Sequence, residues 1–247
     1  MANQKRDLVS GGSVKTYRVT SVRVMRVAVL ATGGKDSVLA LHRVLNEGHE
    51  VRYLVSMIPL REDSWMFHYP NIRLVDLFAD VVGIPLVKAE TSGVKEEEVE
   101  DLKRLIGKLD VDGIVSGAVA SNYQKIRIDE VCRQLRLKSV MPLWHENELD
   151  VLNEILDLKF EVVITGVYAY GFDRGWLGRK IDEKTVEALM ELNRKYGVSL
   201  VGEGGEYETL VLDAPFFRKR IKVVKAEEVW ENQSGYFLVT EAKLVSK

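Results

Sequence analysis

Three observations predict an α/β architecture for this chain: a parallel sheet covered on both faces, followed by a smaller α+β unit. Short apolar runs alternate with helix-period patterns through roughly the first 140 residues. A glycine turn at residues 32–37 joins the first apolar run to the first helical pattern. Beyond Gly205 the apolar residues recur with a period of two, the mark of antiparallel strands.

Each element follows in order. The first strand is the run 27–31, Val-Ala-Val-Leu-Ala, which stops at the glycines. A helix from Ser37 places Val38, Leu41 and Leu45 on one face and ends at Gly48. Residues 51–57 form strand 2, and 58–71 a polar, aromatic-rich loop. Ile72, Val75, Ala79 and Val82 mark a helix that ends at Gly83, and 85–88 is strand 3. A helix over 95–109 and a short strand at 114–116 come next. Ile128, Val131, Cys132 and Leu135 then fall on one helix face, before a strand at 139–141. In the second half Leu152, Ile155 and Leu156 mark a helix, 162–168 a strand, and Asp182 caps a helix running to Tyr196. The pairs Leu210/Leu212, Ile221/Val223 and Phe237/Val239 predict two or three antiparallel strands.

Composition narrows the function. The 247 residues are 46% hydrophobic and 29% charged, with a net charge of −2. No basic excess argues for nucleic-acid binding, and no apolar stretch reaches the ~18–20 residues of a membrane helix. Residues 1–24 are basic without an apolar stretch, so they read as a flexible leader, not a secretory signal, with Met25 placed as a start. A cytoplasmic protein is expected. Cys132 is the sole cysteine, so no disulfide forms within the chain and no cysteine pair is present to carry sulfur. His42 and His49 read as structural or exposed; His68 is a weak candidate.

The first candidate site is Thr32-Gly33-Gly34-Lys35-Asp36-Ser37. Glycines let a backbone approach a phosphate, and a helix start offers unpaired amides and partial positive charge. The stretch is not a Walker loop: Val29 stands where the first glycine should be, and Asp36 follows Lys35. It is not a dinucleotide fingerprint either, because Gly33 and Gly34 are adjacent. Lys35 can offset charge on a leaving group, Ser37 can cap the helix, and Asp36 can hold magnesium, fix Lys35 or cap. The second site is Gly202-Glu203-Gly204-Gly205-Glu206-Tyr207-Glu208-Thr209, three acids in a glycine-rich loop. Like charges so close call for a bound cation or raised pKa values.

The Thr-Gly-Gly-Lys-Asp-Ser stretch resembles the pyrophosphate (PP) loop of the N-type ATP pyrophosphatases, enzymes that cleave ATP between its α- and β-phosphates. That likeness implies a Rossmann-like sheet of the adenine nucleotide alpha hydrolase kind. The acidic loop with Val211-Leu212-Asp213 is similar to the signature of the diphthine–ammonia ligase family. So are Gly117-Ala118, Ser121-x-Tyr123-Gln124-x-x-Arg127, Pro142-Leu143-Trp144 and Trp176-Leu177-Gly178-Arg179. The likeness covers residues 25–217, about the whole ordered chain. Thr32 stands where Ser is commoner, and His145-Glu146-Asn147 departs from the family's pattern.

This resemblance implies an ATP-dependent amide ligase that adenylates the carboxylate of diphthine on elongation factor 2 and amidates it with ammonia. It implies ATP and Mg2+ as cofactors, with contacts from Thr32, Gly33, Gly34, Lys35, Asp36, Ser37, Ser56 and Gly117 and the metal on Asp36. Lys35, Glu206 and Glu208 become catalytic candidates. Ser121, Tyr123, Gln124, Arg127, Trp144, Glu203 and Tyr207 become substrate contacts. The acids would meet the trimethylammonium group of diphthine or handle ammonia, and Tyr123, Trp144, Trp176 and Tyr207 would give it aromatic faces. The expected division is a leader over 1–24, an ATP-binding domain over 25–125 and a substrate-binding subdomain over 126–247. With no glutaminase arrangement in the sequence, ammonia is expected free or from another protein. Elongation factor 2 is the expected partner, without membrane or direct nucleic-acid contact, and a homodimer stays open. Two other readings stay open: another AMP-forming ligase acting on a small acid or RNA, and a sensor that holds ATP or AMP without turnover.

Overall fold

The apolar run beginning at Arg26 becomes the central strand of a five-stranded parallel sheet in the computed structural model, which describes residues 24–60, 71–92, 94 and 97–247. The expectations for residues 1–23, for most of the 58–71 loop and for His68 lie outside the described residues.

The sheet comprises β1 (Arg26–Leu30), β2 (Glu50–Pro59), β3 (Leu86–Thr91), β4 (Gly113–Val115) and β5 (Lys138–Val140), ordered β3-β2-β1-β4-β5. Four helices connect the strands: α1 (Lys35–Asn46), α2 (Val75–Val82) after a 3-10 turn, α3 (Glu97–Ile106) and α4 (Asn122–Leu135). Strand order reverses between β1 and β4, so the loops at their carboxyl ends flank a crevice, the usual ligand position in such sheets. Ala28, Val55, Met57 and Ile114 face Leu102, Ile106, Ile128, Val131 and Cys132 on one side of the sheet. Burial pushes the Cys132 thiol up to about 12, as suits a packed apolar side chain.

The other side of the sheet merges with the second half of the chain. Here α5 (Glu148–Asp157), β6 (Glu161–Val167), α6 (Glu183–Tyr196), β7 (Tyr207–Asp213), β8 (Arg220–Glu231) and β9 (Ser234–Val245) build an antiparallel sheet ordered β7-β6-β9-β8. One apolar core runs from Val38, Leu39 and Leu41 of α1 to Leu152, Ile155, Leu189 and Val211. Truncating a fully buried residue such as Leu41 to Ala costs about 2–5 kcal/mol, so the halves stabilise each other. The β8–β9 hairpin turns at Asn232 and Gln233, both with positive φ, which suits the twist of the strands.

Two expectations shift, and the expected two or three C-terminal strands resolve to three. The helix starts at Lys35, two residues before Ser37, because Gly34 sits at the N-cap. The strands 207–245 number three, and the strand expected at 162–168, here β6, joins them as a fourth. The boundary expected between 125 and 126 falls inside α4, and β5 pairs with β4, so residues 126–140 belong to the parallel sheet.

Candidate functional site

A cavity of about 610 Å³ opens where the carboxyl ends of β1, β2 and β4 face the loop before β7. Thr32, Gly34, Lys35, Asp36 and Ser37 line one wall. Gly33 adopts φ +81°, a left-handed conformation that its missing side chain allows, and its carbonyl accepts from the Val211 amide at 2.9 Å. The Lys35 amide donates to Thr209 Oγ1 at 3.1 Å. The turn is therefore pinned from β7, in the opposite sheet. No side chain caps α1 at Gly34. Ser37, expected as a cap, lies inside the first turn, and its hydroxyl donates to the Gly34 carbonyl at 3.0 Å.

Lys35 is 2% exposed. Its ammonium donates to Asp36 Oδ2 at 2.9 Å and to the Val201 carbonyl, and lies 5.0 Å from the Tyr207 ring centroid. Burial alone would lower its pKa, but Asp36, Tyr207 and Glu203 outweigh burial and raise it, so the side chain stays charged. Tyr207 donates to the Leu200 carbonyl at 2.6 Å, and burial raises its pKa, keeping it a phenol. Asp36 Oδ1 is buried in the cavity wall without a hydrogen-bond partner. An orphaned carboxylate oxygen here suits a divalent cation. Among the described residues no cluster of three His, Cys, Asp or Glu could hold a metal. Magnesium would therefore be shared between Asp36 and ligand phosphates, its usual habit.

Ser56 and Gly117 also line the cavity. The Ser56 hydroxyl is buried without a partner. Gly117 abuts the start of α1: a Cβ there would lie 2.6 Å from the Asp36 carbonyl carbon. Its missing side chain thus serves close packing of the β4 loop on the phosphate turn. Ser121, Tyr123 and Gln124, at the start of α4, form the far wall. Ser121 caps that helix, accepting from the Gln124 amide at 3.3 Å.

The three acids of the 202–208 loop separate. Glu208 is half-buried in the cavity wall. Glu203 also reaches the cavity, but its Oε1 accepts from the amides of Val119 at 3.1 Å and Ser121 at 2.8 Å. Burial, aided by the Asp36 charge, raises its pKa against the pull of these amides. Glu203, expected to receive a cation, ties its own loop to the segment between β4 and α4. Glu206, expected to be catalytic, does not line the cavity. The loop turns back on itself at Gly202 and Gly205, and the Glu206 carboxylate accepts from Ser199 N at 3.1 Å and Gly204 N at 2.8 Å.

Three further candidates stand elsewhere. Arg127 lies in a separate groove between α3 and α4, with its guanidinium 3.6 Å from the Tyr123 ring centroid. It supports Tyr123 rather than reaching the cavity. Trp144 stacks on His145 at 4.5 Å, beside Lys125 and outside the cavity lining. Trp176 is buried edge-on against Phe172 in the second core. Sequence reasoning missed the roles of Thr209 and the Val201 carbonyl. Thr209 was quoted within the acidic motif, but its link to Lys35 spans 174 residues of chain; a main-chain carbonyl leaves no sequence signal.

A glycine turn that opens a helix at the switch point of a parallel sheet, beside a buried lysine and facing an acidic loop, makes an α/β protein with a cavity suited to an anionic ligand such as a phosphate. Residues 25–139 match the family described as diphthamide synthase N-terminal domain, and residues 147–245 match the diphthamide synthase C-terminal domain. The chain is similar to the diphthine–ammonia ligase of Rattus norvegicus, 35% identical over 243 residues and covering 89% of this chain and 91% of that protein. The Homo sapiens ligase is 36% identical over 235 residues, covering 86% and 88% respectively. The Schizosaccharomyces pombe ligase is 34% identical over 243 residues, which make up 90% of this chain and 40% of that protein. The chain belongs to the diphthamide synthase family. No helix among the described residues is long and apolar enough to cross a membrane.

Proposed function

We propose that the protein is an AMP-forming carboxylate–ammonia ligase, which adenylates the carboxylate of diphthine on elongation factor 2 and amidates it to give diphthamide. The observation that carries this reading is the meeting of the phosphate turn and the acidic loop across one cavity, tied together through Lys35 and Thr209.

The residues divide the work. The amides at the start of α1 hold the outer phosphates of ATP, and Lys35 balances the charge that grows on pyrophosphate as it leaves. Asp36 Oδ1 would hold magnesium, which when bound would supply further charge neutralisation on the phosphates. A carboxylate oxygen of the acceptor attacks the α-phosphorus, and the bond to the β-phosphate oxygen breaks. Ammonia then attacks the acyl carbon, the bond to the AMP oxygen breaks, and Glu208 takes the proton shed by nitrogen. Tyr123 offers a ring face to the trimethylammonium group, contributing about 1–2 kcal/mol, while the buried Tyr207 ring is taken up by Lys35. Elongation factor 2 is the partner, ammonia the nitrogen source, and the cytoplasm the site of action.

The test is incubation with ATP, ammonium and diphthine-bearing elongation factor 2, followed by mass analysis. AMP, pyrophosphate and the amidated factor are expected together. Nucleotide bound without pyrophosphate release in the presence of the factor contradicts the reading and favours a sensor.

A further inference from the structure

A protein that presents an acid to this cavity of about 610 Å³ must rest on the surface around it. The segment after β6, which meets the 202–208 loop through Tyr168, exposes aromatic surface together with the end of α6. Tyr168, Tyr170 and Tyr196 are 42%, 69% and 49% exposed. Tyr170 and Tyr196 meet edge to face at 5.0 Å. Tyr196 lies over Gly171, where a Cβ would come within 2.5 Å of its ring and where φ is +102°. These rings are held in place by packing yet left in water. Exposed tyrosines fixed in this way supply contact area at low entropic cost.

The patch is also continuous with the site. The Tyr168 amide donates to the Glu206 carbonyl at 2.8 Å, directly between Gly205 and Tyr207 of the cavity wall. Beneath the same loop, Phe172 contacts Tyr207, ring centroids 6.1 Å apart.

We infer that Tyr170 and Tyr196, with Tyr168, form the docking surface for the body of the protein substrate, orienting it so that its modified side chain enters the cavity past the 202–208 loop. This inference rests on the proposed function and adds where the macromolecule is gripped. It separates two tasks: the cavity performs the chemistry, and the tyrosine patch supplies affinity for the folded partner.

The experiment is steady-state amidation of diphthine-bearing elongation factor 2 by the wild type and by the Tyr170→Ala/Tyr196→Ala variant, with ATP and ammonium saturating. The expected result is a KM for the factor raised about tenfold or more, with kcat and the KM for ATP within about twofold, as for loss of interface anchors. Tyr170→Phe, which keeps the ring, is expected to stay near wild type. If the double variant melts early, Tyr170→Ala alone carries the test, because its ring is mostly in solvent. An unchanged KM for the factor in a folded variant overturns the docking surface and leaves the function standing. A wild type that fails to amidate the factor overturns both.

Discussion

The turn at residues 32–37 has its Lys35 amide met from the opposite sheet by Thr209, whereas within the turn at 202–208 the Gly204 amide donates to the turn's own Glu206 carboxylate. Both are glycine turns lining one cavity, yet they offer a ligand different things. The first offers backbone donors, the buried Lys35 charge and one unpartnered oxygen of Asp36. The second spends Glu203 and Glu206 on holding its shape, and presents Glu208 and Tyr207 to the cavity. A dense group of like charges need not act as one unit: backbone amides take up Glu203 and Glu206, and Glu208 is the acid the proposed function assigns to chemistry.

Substitutions can break this contrast or sharpen it. The largest effect is expected at Lys35. Lys35→Met keeps most of the buried volume and is expected to slow acyl-adenylate formation about 10²–10³-fold, measured as acceptor-dependent pyrophosphate release, with a melting transition still present. Undiminished release would remove the catalytic part assigned to the phosphate turn. Next come the paired variants Glu208→Gln and Glu206→Gln. The first is expected to slow amide formation about 10²-fold while ATP binding persists. The second is expected to leave the rate within a few-fold and to lower the melting temperature instead. The opposite outcome would make Glu206 the working acid.

A smaller effect is expected for Asp36→Asn: the magnesium concentration giving half-maximal rate rises about tenfold or more, read from magnesium titrations at fixed ATP. The smallest is at Glu203. Burial raises this carboxyl above the usual range. A group raised on folding contributes stability below its unfolded pKa and loses that contribution as pH rises through the folded value. Glu203→Gln retains an acceptor for the Val119 and Ser121 amides and is expected to flatten the loss of stability as pH rises above the ordinary glutamate value. Urea-unfolding midpoints across that rise check the sign.

These outcomes bear on what a chain reveals before it is folded. The geometry of the turn at 32–37 was legible because it lies in the main chain: Gly33 takes its positive φ, and the turn opens a helix directly after a strand. The alternating apolar runs likewise placed every strand of the parallel sheet to within a few residues, since period and burial are local properties. Side-chain direction is not local. Arg127 turns away because Tyr123, one helical turn before it, takes its guanidinium. Glu206 turns away because Gly202 and Gly205 fold the loop back over its carboxylate. Trp176 is drawn into a core formed with Phe172. Gly117 shows a different limit. Its position at the site was legible, but its packing against the Asp36 backbone depends on how closely two distant loops approach.

The most direct test of the central claim is a crystal structure with a non-hydrolysable ATP analogue and magnesium. The account predicts the β- and γ-phosphates on the amides of residues 33–37, with the metal against Asp36 Oδ1 and the adenine toward Ser56. An analogue bound elsewhere, with that turn and the Lys35–Val201 contact unchanged, would contradict it.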